Sequence, residues 1–393
     1  MNESFVPSAV FDRMVAIRRD LHRHPELSWE EERTATRIAK ELDALGIAYR
    51  QVARTGIVAE LPGRRPGPIV ALRADTDALP IHEETDLPFA SERKGVMHAC
   101  AHDGHTSMLV GAAELLRDDP PPLPVRLLFQ PAEERAEGAK ALIREGALEG
   151  VALIFGGHVD RHYEPGVIAI TEGAVNASTD TFTIDIRGQQ GHGARPHEAL
   201  DAVVVGSLLV TALQTIVSRE IDPAHPSVVT VGSFHAGSAP NVIAGRAELA
   251  GTIRSQHKGV REHLIQSIRR IGAAIGQLHG ANVEVEVVEG TPPLVNTAEM
   301  AALAREAATL ACGAERVVPM RSVNMGGEDF AHYLEHVPGA YVRFGGQVRG
   351  REGFPAHSSR FDFDELALGA GAAFFDRVAR VAAERLLASP EAR

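Results

Sequence analysis

Hydrophobic and polar positions follow two different rhythms along this chain. Through residues 10–46 apolar residues recur at helical spacing with a break around HPELSW, so helix is expected on both sides of that break. There follow PIVALR, a helical stretch over about 105–116, VRLLFQ, a second helical stretch near 139–145, and VALIFGG. Short apolar runs alternating with helical patterns predict a mostly parallel sheet covered by helices.

From about Thr179 the rhythm changes. TFTIDIRG reads as a strand, 199–219 as a helix, SVVTVGSF and AELAGTIRS as two strands, 260–278 as a helix and NVEVEVVEG as a strand. The order βαββαβ is that of a ferredoxin-like unit, complete in itself. After TPPLVN the helix and strand alternation resumes and ends in a long helix from about residue 364. The expected architecture is therefore an α/β domain built from residues 1–178 and 294–393, with a smaller α+β ferredoxin-like domain, 179–293, inserted between them. A chain of 393 residues exceeds what one core usually supports, which agrees with two domains.

Composition narrows the function classes. Forty basic against 52 acidic residues give a net charge of -12, with no Lys/Arg run to track a phosphate backbone, so nucleic acid is not an expected partner. The first twenty residues lack a basic stretch followed by an apolar block. The most apolar window, 199–217, contains Asp201, Thr211, Gln214 and Thr215, which suits a buried amphipathic helix better than a membrane span. A soluble cytoplasmic protein is expected. Two cysteines, Cys100 and Cys312, cannot form a disulfide framework, and in a reducing compartment such a thiol is filler, ligand or nucleophile.

Chemistry-bearing residues gather at the ends of the apolar runs. RADTD follows PIVAL, Glu133 and Glu134 follow VRLLFQPA, His158 follows VALIFGG, and His357 lies in FPAHSSRF. Carboxyl ends of strands line the ligand crevice of open α/β sheets, so these groups can converge. Cys100 and His102, alternate residues of an extended loop, can project to one side. His105 is either a ligand or simply a first-turn residue of the next helix. Adjacent Glu133 and Glu134 repel each other unless a cation is near, in which case one can ligate while the other faces a bound water. Cys100, His102, Glu134, His158 and His357 form the mixed sulfur, nitrogen and oxygen set that zinc or a neighbouring transition metal prefers. Five candidates exceed one tetrahedral ion's needs, whereas two ions about 3.5 to 4 Å apart, bridged by Cys100, would use them all.

The motifs LHRHPELSWEE, ALRADTDALPI, MHACAHDGHTSML, FQPAEE, GGHVD, GHGARPH, NVIAGRAELAGTIRS, GGEDF and AHSSRFDFDE resemble, in order and spacing, those of the M20 metallopeptidases. Within that family they are most similar to the M20D amidohydrolases, among them hippurate hydrolases, N-acyl-amino-acid deacylases and hydrolases of plant auxin conjugates. The resemblance runs from about residue 20 to 380.

It implies two divalent metal ions per subunit (Zn, Mn, Co or Ni) held by Cys100, His102, Glu134, His158 and His357, with Glu133 as general base. It also implies that the inserted domain is a lid and a homodimer interface. His192 would then polarise the scissile carbonyl, often in the partner subunit's site, and Asn241 and Arg254 would grip the substrate carboxylate. Read without the resemblance, His192 caps a turn and Arg254 pairs with an acidic surface. Asp77 reads as a residue orienting the ligands. Asp75 stands where other branches carry a ligating histidine, and its role is open.

Several positions depart from the family pattern. Ala101 replaces the glycine usual between the Cys and His ligands, which matters if the backbone there needs a positive φ. RAEGA after the glutamate pair, HVDRHYEPG and Ser359 differ at segments bordering the pocket and bear on substrate preference. The expected activity is metal-dependent hydrolysis of an N-acyl or N-aroyl amino acid. The alternatives are an M20-type dipeptidase or aminoacylase, a non-catalytic binding relative, and a hydrolase using Cys100 as nucleophile. No membrane partner is expected.

Overall fold

The computed structural model describes residues 5–388; residues 1–4 and 389–393, counted above in the larger domain, lie outside the described residues. The chain divides into two compact units. The smaller comprises Ala174–Leu294 and Val323–Glu328, and the larger takes the remainder.

In the larger unit, α1 (Ser8–Arg23) and α2 (Glu32–Leu45) flank the HPELSW break. The stripe Ala35, Ile38, Leu42 and Leu45 buries one face of α2, which stops at Gly46, a left-handed residue whose N–H caps the last turn. Next come β1 (Ala48–Val52), β2 (Gly56–Leu61), β3 (Ile69–Asp75), α3 (His102–Asp118), β4 (Val125–Gln130), α4 (Gly138–Arg144), β5 (Val151–Asp160) and β6 (Ile168–Ala169). After the insertion follow α5 (Ala298–Cys312), β7 (Val317–Val318), β8 (Gly339–Gly345) and α6 (Leu366–Ala388). The eight strands form one sheet in the order β1-β2-β4-β3-β5-β8-β6-β7. Its centre is parallel: β3 pairs with β4 and β5, and β5 with β8, while the β1-β2-β4 edge is antiparallel. This is the mixed, mostly parallel α/β class expected.

Helices α1, α3 and α6 cross at close quarters over the sheet. Gly111 of α3 sits against Met14 of α1, and Gly371 of α6 against Met108 of α3, with no room for a Cβ at either glycine. Strand order reverses at β3, because β4 lies on one side of it and β5 on the other. That reversal opens a crevice at the carboxyl ends of β3, β4 and β5; Asp77 and Glu133 lie just beyond their strands and His158 near the end of β5.

The smaller unit has four long strands in the order Ser227–Ala236, Arg246–Ser255, Ser178–Arg187, Asn282–Glu289, every pair antiparallel. Helices Ala202–Thr215 and Lys258–His279 share a core with the sheet through Phe182, Ile184, Leu209, Leu213, Leu249, Ile253, Leu264 and Ile268. This is the βαββαβ ferredoxin-like arrangement. The apolar window within it is only about one-third buried, which corrects the expectation of a buried helix. Ala202, Val205, Leu209 and Leu213 face the core, whereas Val203, Val204 and Leu208 are exposed. By length and composition, Ala202–Glu220 is the one stretch among the described residues that passes for a membrane span.

Candidate metal centre

Helix α3 begins at His102, three residues earlier than the apolar pattern indicates, because Asp103, His105, Thr106 and Ser107 are polar yet buried. Cys100 and His102 are therefore not on an extended loop. Ala101 between them is left-handed (φ 67) and caps the helix, and this reversal, not alternation along a strand, turns both side chains to one side. The glycine replacement thus falls where a Cβ is strained.

Asp77, just past β3, organises the site. Its Oδ1 accepts from the Glu133 backbone N–H (3.1 Å) and from His102 Nδ1 (3.2 Å). Its Oδ2 accepts from the Glu134 N–H (3.1 Å) and from Ser28 Oγ (2.7 Å). Burial alone would raise the Asp77 carboxyl; the hydrogen bond and charge of His102 outweigh it and hold the group below its ordinary range. With Nδ1 of His102 so occupied, its Nε2 faces inward. His158, inside β5 rather than after it, ties its Nδ1 to the Val159 carbonyl (2.7 Å), and its Nε2 lies 3.2 Å from Cys100 Sγ. His357, also left-handed (φ 67), donates its backbone N–H to Ala99 and places Nε2 3.4 Å from Glu134 Oε1.

Of five groupings among the described residues whose ligand atoms all lie within 4.8 Å of one another, two contain Cys100: Cys100, His102 and His158, and Cys100, Glu134 and His357. Glu133 Oε2 stands 4.0 Å from His102 Nε2, and its Oε1 accepts from the Asp329 N–H at 3.4 Å. A divalent cation fits these residues on a specific ground: His102 Nε2 is buried without a hydrogen-bond partner, and Glu134 Oε1, also buried, faces only imidazole nitrogens, His357 Nε2 at 3.4 Å and His102 Nε2 at 4.0 Å. Buried polar atoms rarely stay unsatisfied, and a lone pair on each is what a metal ion takes.

A third grouping, Asp75, His102 and His105, has ligand types, but the atoms that Asp75 and His105 offer are already hydrogen-bonded. His105 Nδ1 donates to Asp75 Oδ1 (2.6 Å) and its Nε2 accepts from the Val159 N–H (2.9 Å); Arg73 donates to Asp75 Oδ2 (2.7 Å). The open question over Asp75 and His105 resolves as a hydrogen-bonded layer behind His102. Asp329 of the GGEDF motif, to which the sequence assigned nothing, is fully buried and accepts from Arg73, Gln130 and the Ala139 N–H. Its signal was its place in the GGEDF motif.

Burial, reinforced by Glu134, pushes the Cys100 thiol up to about 12. A thiol so raised is the reverse of an activated nucleophile, which disfavours the Cys-hydrolase alternative. His158 is driven well down by burial and by His105, leaving it neutral with a lone pair. His357 is raised by its bond to Glu134.

In the smaller unit, Gly191–His192 pairs with Val242–Ile243, and the Gly193 N–H donates to the Asn241 carbonyl, so His192 and Asn241 are neighbours. His192 is exposed; its Nδ1 accepts from the Ala194 N–H (3.1 Å), which leaves Nε2–H to donate outward. Arg254 lies on the sheet opposite Thr179 and Val228 and has no ion-pair partner among the described residues.

Residues 71–380 match Peptidase family M20/M25/M40. The chain belongs to this family. Among its M20 relatives, the chain is 40% identical over 364 residues to the N-acetyl-L-cysteine deacetylase of Bacillus subtilis, covering 92% of this chain and 86% of that protein. It is 44% identical over 288 residues to the N-acyl-L-amino acid amidohydrolase of Geobacillus stearothermophilus, covering 72% and 78%. A solved structure from Bacillus subtilis, described as a dinuclear metal-binding peptidase of the M20 family, superposes with a TM-score of 0.85 at 35% identity, over 96% of this chain and 99% of that one.

Proposed function

We propose that this M20 protein is a metal-dependent amidohydrolase that cleaves N-acyl or N-aroyl amino acids to a carboxylic acid and a free amino acid. The observation that carries the reading is the pair of ligand triples sharing Cys100, with Glu133 at their edge. Cys100, His102 and His158 would hold one cation, and Cys100, Glu134 and His357 a second. When bound, the cations lower the pKa of water and stabilise negative charge on oxygen. Glu133 takes the proton from the attacking water and later delivers it to the leaving nitrogen. Asp77 keeps His102 in the tautomer whose Nε2 is free and fixes the backbone under Glu133 and Glu134.

For the smaller unit we assign the roles that the resemblance implies. His192, a donor at Nε2, polarises the scissile carbonyl, and Asn241 with Arg254 takes the substrate carboxylate. The uncharged outer face of Ala202–Thr215, with Val203, Val204 and Leu208 exposed, and the outermost strand Ser227–Ala236 support dimerisation through this unit. A reducing compartment suits a site whose thiol must stay free. A dipeptidase or aminoacylase would use the same groups and is separated by substrate.

The test is metal analysis followed by hydrolysis of N-acetyl, N-benzoyl, N-fatty-acyl and indole-acyl amino acids with added Zn, Mn, Co or Ni. Activity should vanish on chelation and return with metal, and Glu133→Gln should keep metal while losing turnover. Full activity after thorough stripping refutes the assignment.

A further inference from the structure

The HPELSWEE segment between α1 and α2 ends in Glu31, to which the hydrolytic reading gives no task. Yet the segment contacts both Asp77 and the loop that carries Glu133 and Glu134. Ser28 Oγ donates to Asp77, and Trp29 Nε1 donates to Glu137 Oε2 at 2.6 Å. Glu31 goes deepest. Its side chain is fully buried; Oε1 accepts from the Ala132 N–H (3.0 Å) and Oε2 from Thr55 Oγ1 (2.7 Å). Among the described residues no cation pairs with it, and burial raises its carboxyl despite the Thr55 hydroxyl.

A carboxyl group with no cationic partner is a costly thing to bury, and an apolar side chain would fill the space at lower cost. What Glu31 does there is visible in the loop. Three consecutive amides are held by two buried acids: Ala132 N–H by Glu31, then Glu133 N–H and Glu134 N–H by the two oxygens of Asp77. Ala132 is left-handed (φ 53), a conformation that is strained for a residue with a Cβ. Relaxation of that residue to negative φ would re-aim the two glutamates that follow it.

We propose that Glu31 is a positioning residue of the hydrolytic site: its buried carboxyl group fixes Ala132 in the left-handed conformation and so aims Glu133 at the water and Glu134 at the cation. This rests on the roles proposed above for those two residues.

Four proteins test it, Glu31→Ala, Glu31→Gln, Ala132→Gly and the Glu31→Ala/Ala132→Gly double variant, each assayed for kcat, KM, melting temperature and metal affinity by chelator competition. Glu31→Ala should lower kcat about 10- to 100-fold, as sub-ångström to 1 Å misplacement does, with KM changed less than about three-fold and metal affinity reduced. Glu31→Gln, whose amide oxygen accepts from Ala132 and whose NH2 donates to Thr55, should keep most of the turnover. Glycine reaches positive φ without strain, so the double variant should recover part of the kcat lost by Glu31→Ala. A lowered melting temperature with wild-type kcat and metal affinity overturns the proposal, as does a loss in Glu31→Ala that glycine at 132 does not relieve. If Glu31→Ala does not fold, Thr55→Val, which frees one oxygen of Glu31, should still lower kcat several-fold, and unchanged kcat overturns the role. Glu133→Gln is the control: turnover by that variant defeats the reading of the site itself, whereas an inactive Glu133→Gln beside an unimpaired Glu31→Ala defeats only the positioning role.

Discussion

The two halves of the ligand set are built differently. On the inner side, Cys100, His102 and His158 are held by a helix start and a strand, and the second nitrogen of each imidazole is already tied, to Asp77 or to the Val159 carbonyl. On the outer side, Glu134 and His357 sit on loops, and the His357 side chain is 54% exposed with its ring tied only to Glu134. An inner cation would meet imidazoles already oriented by these hydrogen bonds, while an outer one must order an exposed imidazole as it binds. Pre-organisation therefore predicts two unequal affinities.

The largest effects should separate those halves. His102→Ala removes a ligand that is 1% exposed and should abolish retained metal and activity together. His357→Ala should instead leave one ion per subunit, with activity low but restorable at high metal concentration. Metal analysis after dialysis distinguishes them, and equal loss of both ions from both variants would break the comparison. Next in size is Asp77→Asn. It removes the charge facing His102 and sets an NH2 group against the backbone N–H of Glu133 or Glu134, and about 10- to 100-fold in metal affinity is the expected loss. An unchanged chelator titration would show that the inner half does not depend on this acid.

Legibility in the sequence follows the same division. Glutamates and a histidine placed at the ends of apolar strands stood out, because elements of period 2 or 3.6 fix where a side chain points, and the five ligand candidates do converge in the structure. Asp75 and His105 stayed ambiguous because both carry ligand chemistry. What decides them is Arg73 from β3 and the Val159 N–H from β5, partners the sequence does not reveal. The early start of α3 was hidden for a related reason: Asp103 is polar to the reader, but Arg18 and His22 of α1 satisfy it inside the core. Left-handed backbone at Ala132 and His357 had no signal, since neither is glycine, whereas at Ala101 the glycine usual in the family pointed to it. The pairing of Gly191–His192 with Val242–Ile243 is too short for any periodicity. Val323–Glu328, expected with the larger domain, clusters with the smaller unit by contacts distant in sequence.

His98, two residues before Cys100, carries the comparison into pH. It is buried with neither ring nitrogen hydrogen-bonded, and burial holds it down at about 4 against an ordinary 6.5. Below pH 6.5 the unfolded chain takes up a proton that the folded protein refuses. Stability should thus fall as pH drops from 6.5 toward 4, by up to about 3 kcal/mol from this residue. His98→Leu should flatten that slope in metal-free protein, measured as denaturant midpoints at pH 5 and 7. His158 contributes with the same sign in both proteins and cancels in the difference. An identical acid slope in the variant would mean that His98 is solvated or paired.

The smallest effect tests how the inner half reached its geometry. Ala101 occupies φ 67 between two inner ligands, where a Cβ costs about 1 to 2 kcal/mol and glycine costs nothing locally. Glycine also gives the unfolded chain more freedom, which returns about 0.4 to 1 kcal/mol of that gain. Ala101→Gly should therefore stabilise the metal-free protein by at most about 1.5 kcal/mol and leave metal affinity nearly unchanged, because Asp77 and the Val159 carbonyl, not residue 101, orient the imidazoles. Should metal affinity instead rise ten-fold, the strain at Ala101 would be felt at the ligands, and the inner half would be less fully formed before the cation arrives than its hydrogen bonds imply.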